Sequence, residues 1–272
     1  MNAPAAPENG PGGTVSKALA VLDQVAAYER PVRFTELLAD SPLPKATLYR
    51  MLQTLVQNGM ITLDAERQTY GLGLRLVRLA HSAWTQASIA PVARPVLNDL
   101  SEAVGETIHL AQLDHGQVLY VDKRNAARPL EMFSQAGKVG PAYCTGVGKA
   151  MLAYLPEAEL EVALRNQSFH SFTRSTLTTE AALRAELEEI RAKGLAFDRE
   201  EHEPGIICMA VPILSQGRRP LAALSVTTSL DRSTLADLEA LAPRMQSAAR
   251  RIAQAVEHWN FPTETTAHKL EA

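Results

Sequence analysis

Apolar residues recur at helical spacing near the start of the chain and predict three short helices. Residues 16–28 form the first helix, and residues 35–39 form the second, with Thr35 as its N-cap. The third helix opens at Pro44 after a turn and ends near Gly59, a residue suited to the position after a helix C-terminus. The segment therefore begins as a compact group of helices.

A polar turn between two short alternating segments follows, and it predicts a β-hairpin with strands at residues 60–63 and 69–72. Three helices and a hairpin make a winged helix-turn-helix over residues 14–73, a fold that presents its third helix to the major groove of DNA. A polar helix face is more commonly a solvated surface. The short second helix, the tight turn and the hairpin together favour the DNA interpretation here.

The third helix has one apolar face and one polar face. The apolar face holds Leu48, Leu52, Leu55 and Val56. The polar face carries Arg50 and no carboxylate, together with side chains that donate hydrogen bonds. We predict that Arg50, Thr47 and Gln53 reach base edges. Three further residues are predicted to contact phosphates: Lys45, Tyr49 and Arg67.

Beyond the hairpin, residues 74–88 keep a helical pattern and predict a linker helix, which either pairs with a second subunit or packs within the next domain. Residues 89–260 then alternate between strands and helices, which predicts an α+β sensor-like domain with helices packed on antiparallel strands. Strands are predicted at residues 107–113, 118–121, 130–133, 195–198, 206–214 and 221–228. Helices are predicted from residue 91 to 104, after residue 148, and at residues 179–193 and 233–259.

Composition narrows the class of protein. The chain has 272 residues, of which 46% are hydrophobic and 21% charged, as in a globular protein. No apolar run approaches the roughly 20 residues that span a bilayer. The two cysteines, Cys144 and Cys208, are too few for a disulfide framework and predict a cytoplasmic location. Residues 1–13 and 261–272 are predicted to be a disordered tail and a flexible tail.

The net charge of −3 does not by itself indicate a nucleic-acid partner. Residues 1–75 contain equal numbers of basic and acidic residues, so the region predicted to bind DNA is neutral overall. Any DNA binding must therefore depend on where the individual charges lie on the third helix and the hairpin.

The stretch from Thr145 to Lys149 resembles a phosphate-binding loop, but Tyr143 and Ala150 occupy positions where that motif needs Gly and Ser or Thr. A nucleoside triphosphatase is therefore excluded. What remains is a run of small residues, 145–148, leading into a helix N-terminus, where backbone N–H groups favour a carboxylate or phosphate. The alternative is that the glycines only permit close packing.

Other candidate residues are predicted to lie near this helix. Asp198 ends one strand, where it could accept a hydrogen bond from a ligand hydroxyl or cap a turn. Cys208 begins the next strand and is either a pocket wall or a buried small residue. Ser225 and Thr227 lie two residues apart, so their hydroxyls share one face of a sheet.

Catalysis and metal binding find little support in the sequence. Cys208 could pair with His109 or His202, but no motif of a thiol enzyme surrounds either cysteine. The seven histidines lack the short spacing of metal ligands. We predict no catalytic residue, no metal and no cofactor.

Six segments resemble, in order and spacing, the IclR family of bacterial transcriptional regulators: LPKATLYRMLQTL (43–55), YGLG (70–73), PAYCTGVGKA (141–150), GLAFDREE (194–201), GIICMAVPI (205–213) and ALSV (223–226). The resemblance implies a winged helix-turn-helix, a linker helix and a GAF-like effector-binding domain. It also implies a homodimer or dimer of dimers on a palindromic DNA operator, and a small organic acid as effector. The implied effector residues are Met132, Gly146, Val147, Asp198, Ile206, Cys208, Ser225 and Thr227.

These observations lead to one favoured function and one alternative. We expect a ligand-responsive DNA-binding regulator of a catabolic operon, without enzymatic activity. A sugar acid or a hydroxy or keto acid is the first candidate effector, and an aromatic acid the second. The alternative is a metabolite-binding or enzymatic sensor whose winged helix contacts other proteins.

Overall fold

The computed structural model describes residues 13–257, without the side chains of residues 85–87. The chain divides into two compact units, one up to Ala83 and one from Trp84 onward. Helices make up 46% and strands 21%, which confirms the predicted α+β class. Apart from Gly13, the predicted tails lie outside the described residues.

The first unit contains three helices and a small antiparallel sheet, as expected of a winged helix-turn-helix. Its elements are α1 (Thr14–Ala27), β1 (Val32–Arg33), α2 (Phe34–Ala39), α3 (Lys45–Gln57), β2 (Ile61–Asp64) and β3 (Thr69–Leu72). The strand order is β1-β3-β2. The sequence does not predict β1, because two residues are too few to show an alternating pattern.

The apolar face of α3 lies against the core of this unit, nearly as predicted. Leu48, Leu52 and Leu55 are buried, whereas Val56 is only half-buried. Met51, which the sequence analysis leaves out, is buried instead. The buried face of α3 is therefore rotated slightly, from Val56 toward Met51. The face opposite to it remains open to a partner.

The start of α2 differs from the prediction, since Thr35 is not its N-cap. The helix begins one residue earlier, and the backbone N–H of Arg33 donates to the Glu36 carboxylate at 3.0 Å. Arg30 also donates to this carboxylate, at 2.7 Å. An acidic residue in the first turn, rather than a hydroxyl before it, thus stabilises the start of the helix.

Helix α4 (Leu74–Ala87) covers the residues predicted as a linker, and the division between the two units falls within it. The elements that follow are α5 (Ala90–Val104), β4 (Thr107–Asp114), β5 (Gln117–Arg124), β6 (Val139–Gly140), α6 (Gly146–Leu152), α7 (Glu157–Arg165), α8 (Glu180–Lys193), β7 (Ala196–Arg199), β8 (Ile206–Leu214), β9 (Pro220–Ser229), α9 (Leu235–Ala240) and α10 (Ala242–Glu257). Of these, α7 and β6 are not predicted from the sequence.

Two predictions for the second unit are wrong. Residues 130–133 form no strand, because the backbone N–H of Phe133 bonds to a side chain rather than to a neighbouring strand. The predicted closing helix is two helices, interrupted at Leu241. Pro243 lacks an N–H and suits only the first turn of a helix, so α10 must start anew. The predicted end of that helix, residues 258 and 259, lies outside the described residues.

The second unit is built on one antiparallel sheet of order β6-β5-β4-β9-β8-β7. Alternate residues of its strands face opposite sides. One side carries large residues such as Met209 and Leu224 and packs against α5, α9 and α10. The other side, which packs against α6, α7 and α8, carries small residues such as Ala210 and Ala223. Small residues on this side leave room for a cavity beneath α6.

Candidate functional site

Five of the residues predicted to contact DNA lie on α3. Lys45, Tyr49 and Arg50 are exposed, and Thr47 and Gln53 are half-buried. Among residues 13–257, no side-chain hydrogen bond or ion pair engages Lys45, Arg50, Thr47 or Gln53. Their donors are therefore free to bind an external partner.

The remaining two predicted phosphate contacts are held by neighbours. The Tyr49 ring packs edge-on against Phe34, with centroids 6.0 Å apart, and stays 53% exposed. Arg67 lies in the turn between β2 and β3, 4.0 Å from the Asp64 carboxylate. That carboxylate also accepts from the backbone N–H groups of Glu66 and Arg67, at 3.0 Å each. The turn thus carries two acidic side chains beside its one cation.

A cavity of about 30 Å³ lies in the second unit, between the sheet and the first turn of α6. The structure brings all eight implied effector residues into its lining: Met132, Gly146, Val147, Asp198, Ile206, Cys208, Ser225 and Thr227. The lining also includes Thr145, the first residue of the predicted run 145–148, and five residues that the sequence did not assign to an effector: His109, Tyr120, Ser134, His202 and Glu203. The volume suffices for about one or two water molecules.

The first turn of α6 replaces the loop that the sequence predicts over residues 145–148. The helix begins at Gly146, and the Thr145 hydroxyl donates to a backbone carbonyl four residues earlier instead of capping it. A Cβ atom on Gly146 would lie 2.5 Å from the Cys208 sulfur, and one on Gly148 would overlap the Ala142 carbonyl. Close packing thus requires both glycines. The N–H groups of this turn have no carbonyl partner within the helix.

His109 lines the cavity from β4. Its Nδ1 is 3.4 Å from the Ser225 hydroxyl and 3.3 Å from the Thr227 hydroxyl, and its Nε2 is 2.9 Å from the Ser134 hydroxyl. Burial, and secondarily the charge of Lys123, lowers the pKa of His109 to about 3. The imidazole is therefore neutral near pH 7, with one donor and one acceptor nitrogen.

Asp198 faces the cavity from β7 and is only 7% exposed. Its carboxylate accepts the backbone N–H of Glu201 at 2.7 Å, so it caps the turn that follows the strand. Burial, and next the negative charge of Glu201, raises the pKa of Asp198 to about 7. Both protonation states are therefore populated near neutral pH.

Lys149 is fully buried in an ion-pair network beside the cavity. Its Nζ lies 2.5 Å from the Glu201 carboxylate and 3.3 Å from the Glu186 carboxylate. Arg199 also donates to Glu186, at 2.8 Å. Because the Lys149 ammonium group is paired with these two carboxylates, it is not available to bind a phosphate, as the lysine of a nucleoside triphosphatase does. The network instead ties α6 to α8 and to the segment after β7.

The irregular segment 130–134 forms another wall of the cavity. The Glu203 carboxylate accepts the backbone N–H of Phe133, with both oxygens 3.1–3.2 Å away. The ring of Phe133 packs edge-on against the ring of His202, with centroids 5.2 Å apart. Burial opposes ionisation of Glu203, but the His202 ring, whose Nδ1 is 3.7 Å from the carboxylate, and the N–H of Phe133 lower its pKa overall. These contacts hold residues 130–134 against residues 200–205.

The remaining chemistry of this unit does not favour catalysis. Burial raises the pKa of both Cys144 and Cys208, so the thiols are protonated near pH 7, and only a thiolate is a good nucleophile. Within residues 13–257 no three His, Cys, Asp or Glu side chains group so as to hold a metal ion. No helix in the same part of the chain has the length and apolar character needed to cross a membrane.

Two protein-family models match the chain. The IclR helix-turn-helix domain matches residues 14–65, and the C-terminal domain described as that of the bacterial transcriptional regulator IclR matches residues 81–254. The chain belongs to the IclR family. The resemblance inferred from the sequence is thereby confirmed, and so is the general function of a DNA-binding transcriptional regulator.

Individual relatives agree with this assignment. The HTH-type transcriptional regulator XynR of Escherichia coli (strain K12) is 32% identical over 243 residues, which cover 89% of this chain and 96% of XynR. The crystal structure of Thermotoga maritima IclR matches 89% of this chain and 97% of its own, with a TM-score of 0.71 and 28% identity. An IclR homolog from Microbacterium hydrocarbonoxydans, complexed with 4-hydroxybenzoate, shares the fold with a TM-score of 0.78 and 22% identity. The match covers 91% of this chain and 100% of the homolog.

Proposed function

We propose that this IclR-family protein is a ligand-responsive regulator that binds a palindromic operator of a catabolic operon. The observation that carries the proposal is the polar face of α3 with Arg50, together with Lys45 in the first turn, since neither cation has a partner among the described side chains. Arg50, Thr47 and Gln53 would reach base edges, while Lys45 and Tyr49 would contact phosphates. Arg67 is the weakest of the proposed phosphate contacts, because Asp64 lies beside it.

The proposed effector is a small organic acid, with sugar acids and hydroxy or keto acids first and aromatic acids second. Support comes from the N–H groups in the first turn of α6 and from the hydroxyls of Ser225 and Thr227 beside His109. The complex of the Microbacterium homolog with 4-hydroxybenzoate supports including aromatic acids. Because the cavity holds only about 30 Å³, residues 130–134 and 200–205 would have to separate to admit such a ligand.

A homodimer or a dimer of dimers is the proposed assembly. Leu74 and Val77, about 60° apart around α4, are 79% and 64% exposed, so an apolar surface is open to a second copy, while Leu79, 49% exposed, lies on another side of the helix. Two other apolar residues of α4 are engaged elsewhere: Leu76 packs on the core of the first unit and Trp84 on a core of the second. Light scattering at micromolar protein should give at least a dimeric mass, and a monomeric mass would contradict the proposal.

DNA binding is tested by a gel shift with DNA from the promoter of the protein's own gene. We expect a shifted complex that competes poorly with unrelated DNA and weakens as salt rises. Failure to bind any promoter fragment at low salt would favour the alternative, a sensor whose winged helix contacts proteins. We further propose a cytoplasmic protein without catalytic activity, which the protonated thiols and the regulatory functions of the relatives support.

The effector class is tested separately, by thermal-shift screening of organic acids, neutral sugars and apolar aromatics. We expect at least one acid to raise the melting temperature and to change operator affinity. Stabilisation by neutral sugars or apolar aromatics alone would contradict the proposed acid and leave the DNA-binding function intact.

A further inference from the structure

The cavity offers an acid no cationic counterpart from a lysine or arginine. In the part of the chain that the structure describes, its titratable lining residues are His109, Tyr120, Asp198, His202, Glu203 and Cys208. The His109 imidazole is neutral near pH 7. A ligand carboxylate that enters beside Asp198 therefore places two acidic groups together in a buried site, where both cannot stay ionised without a large cost.

The charges around Asp198 do not remove this conflict. Glu201 and His202 face it from the segment after β7, and Lys149 faces it from α6. The positive charge of Lys149 is committed to Glu201 at 2.5 Å. The other titratable groups that act on Asp198 are buried and uncharged near pH 7: Cys144 before α6, Cys208 on β8 and Tyr120 on β5.

We propose that the cavity takes up its organic acid together with one proton from solvent, which Asp198 holds in the complex. The inference rests on the proposed function, in which this cavity binds an organic acid. The proton joins a carboxylate oxygen of Asp198, the resulting O–H donates to the ligand carboxylate, and no other bond is made or broken. The complex then carries one negative charge where two would otherwise meet, and a hydrogen bond to an ionised acceptor is among the stronger ones.

Asp198 takes up this proton at little cost in free energy near neutral pH. Its pKa of about 7 means that protonation at neutral pH requires little free energy. Below that pH the group is already protonated, so affinity for an acid should be constant. Above it, every complex must first acquire a proton, and affinity should fall about tenfold for each pH unit.

The competing arrangement gives the opposite slope. If a ligand hydroxyl, rather than the carboxylate, faced Asp198, the ionised form would be the better acceptor. Affinity would then be constant or rise with pH. The sign of the pH dependence therefore identifies which end of the ligand lies against Asp198.

The experiment measures Kd by calorimetry on the full-length protein from about pH 6 to about pH 8. The probes are lactate, gluconate and 4-hydroxybenzoate, each paired with its primary amide. We expect at least one acid to bind with a Kd that rises about tenfold between about pH 6 and about pH 8, with most of the rise above pH 7, while its amide shows no such dependence. Repeating the titration in two buffers of different ionisation enthalpy should show uptake of about one proton at about pH 8 and of almost none at about pH 6.

Two variants separate Asp198 from other groups. Asp198→Asn keeps the acceptor for the Glu201 N–H and should remove the pH dependence, whereas Glu203→Gln, which alters the other acidic lining residue, should keep it. A flat or opposite slope in the wild-type protein would overturn the inference. So would the absence of binding by all three acids at pH 6, while the gel shift decides independently whether the protein binds DNA.

Discussion

Hydrogen-bonding side chains lie on the polar face of α3 and in the lining of the cavity, but they differ in whether the protein itself already provides their partners. On α3, Arg50 and Gln53 have no side-chain partner within residues 13–257, and Arg50 is exposed. In the cavity, His109 is buried and both its ring nitrogens lie near hydroxyls. A partner of α3 only replaces water, whereas a ligand of the cavity must replace bonds within the protein. Changes on α3 should therefore alter binding alone, and changes around the cavity should also alter stability.

The sharpest test of this difference is the ion-pair network beside the cavity. Lys149→Met should lower the free energy of unfolding by about 3–5 kcal/mol, because it leaves the buried Glu201 without its counter-charge. Lys193→Met is the matched control, since Lys193 pairs with Glu189 on an exposed surface of α8. That control should change the unfolding free energy by less than about 1 kcal/mol. Equal effects of the two variants in guanidinium unfolding would contradict the structural role of the network.

The pH dependence of stability gives a somewhat smaller effect. The native pKa of Asp198 is raised, so the unfolded state binds fewer protons between about pH 4 and about pH 7, and stability falls as the pH rises through this window. Asp198→Asn removes this contribution. Between about pH 5 and about pH 7, the free energy of unfolding of the variant relative to that of the wild type should rise by about 1 kcal/mol for each unit of increase in pH. His109, whose pKa is lowered, contributes the opposite trend in both proteins, so it cancels in the difference.

On α3, we expect a binding effect without a stability effect. Arg50→Ala should weaken operator binding by about 1–3 kcal/mol and relax sequence preference. The free energy of unfolding should change by no more than about 0.5 kcal/mol. Arg250→Ala, which removes an exposed arginine from α10, should change neither quantity. Unchanged operator affinity in Arg50→Ala would show that α3 does not dock as proposed.

The smallest expected effect concerns phosphate contacts. Lys45→Ala should weaken binding to all sequences alike and reduce the slope of log affinity against log salt by about 1. Arg67→Ala should reduce that slope less, because Asp64 and Glu66 already offset its charge. A larger effect from Arg67 than from Lys45, measured by fluorescence anisotropy across salt concentrations, would reverse this assignment.

The sequence predicts well what depends on neighbouring residues. The period of Leu48, Leu52 and Leu55 predicts α3, and Gly59, with its φ of +69°, ends it as expected. The alternation of Ser225 and Thr227 predicts their shared face. By contrast, residues 130–133 have the sequence pattern of a strand but form a wall of the cavity. The backbone N–H of Phe133 bonds to the side chain of Glu203, far along the chain, and a local pattern cannot reveal that contact.

His109 shows why the site could not be completed from the sequence. Its strand is buried on both sides, so alternation of polar and apolar residues does not reveal which face His109 takes. Only the pairing of β4 with β9 places it opposite Ser225. Asp198 was a candidate both from its place at the end of a strand and from the family resemblance, but its raised pKa depends on burial and on the turn that brings Glu201 near.

The pairing of β4 with β9 also bears on the order in which the protein folds. β4 ends at Asp114 and β9 begins at Pro220, so the centre of the sheet forms only after a long loop has closed. The core contacts of the winged helix-turn-helix lie between Thr14 and Leu76 and emerge first during synthesis. Pulse-labelling hydrogen exchange should show early protection in α3 and late protection in β4. The DNA-binding unit would then be complete before the cavity, which needs Ser225 and Thr227, exists.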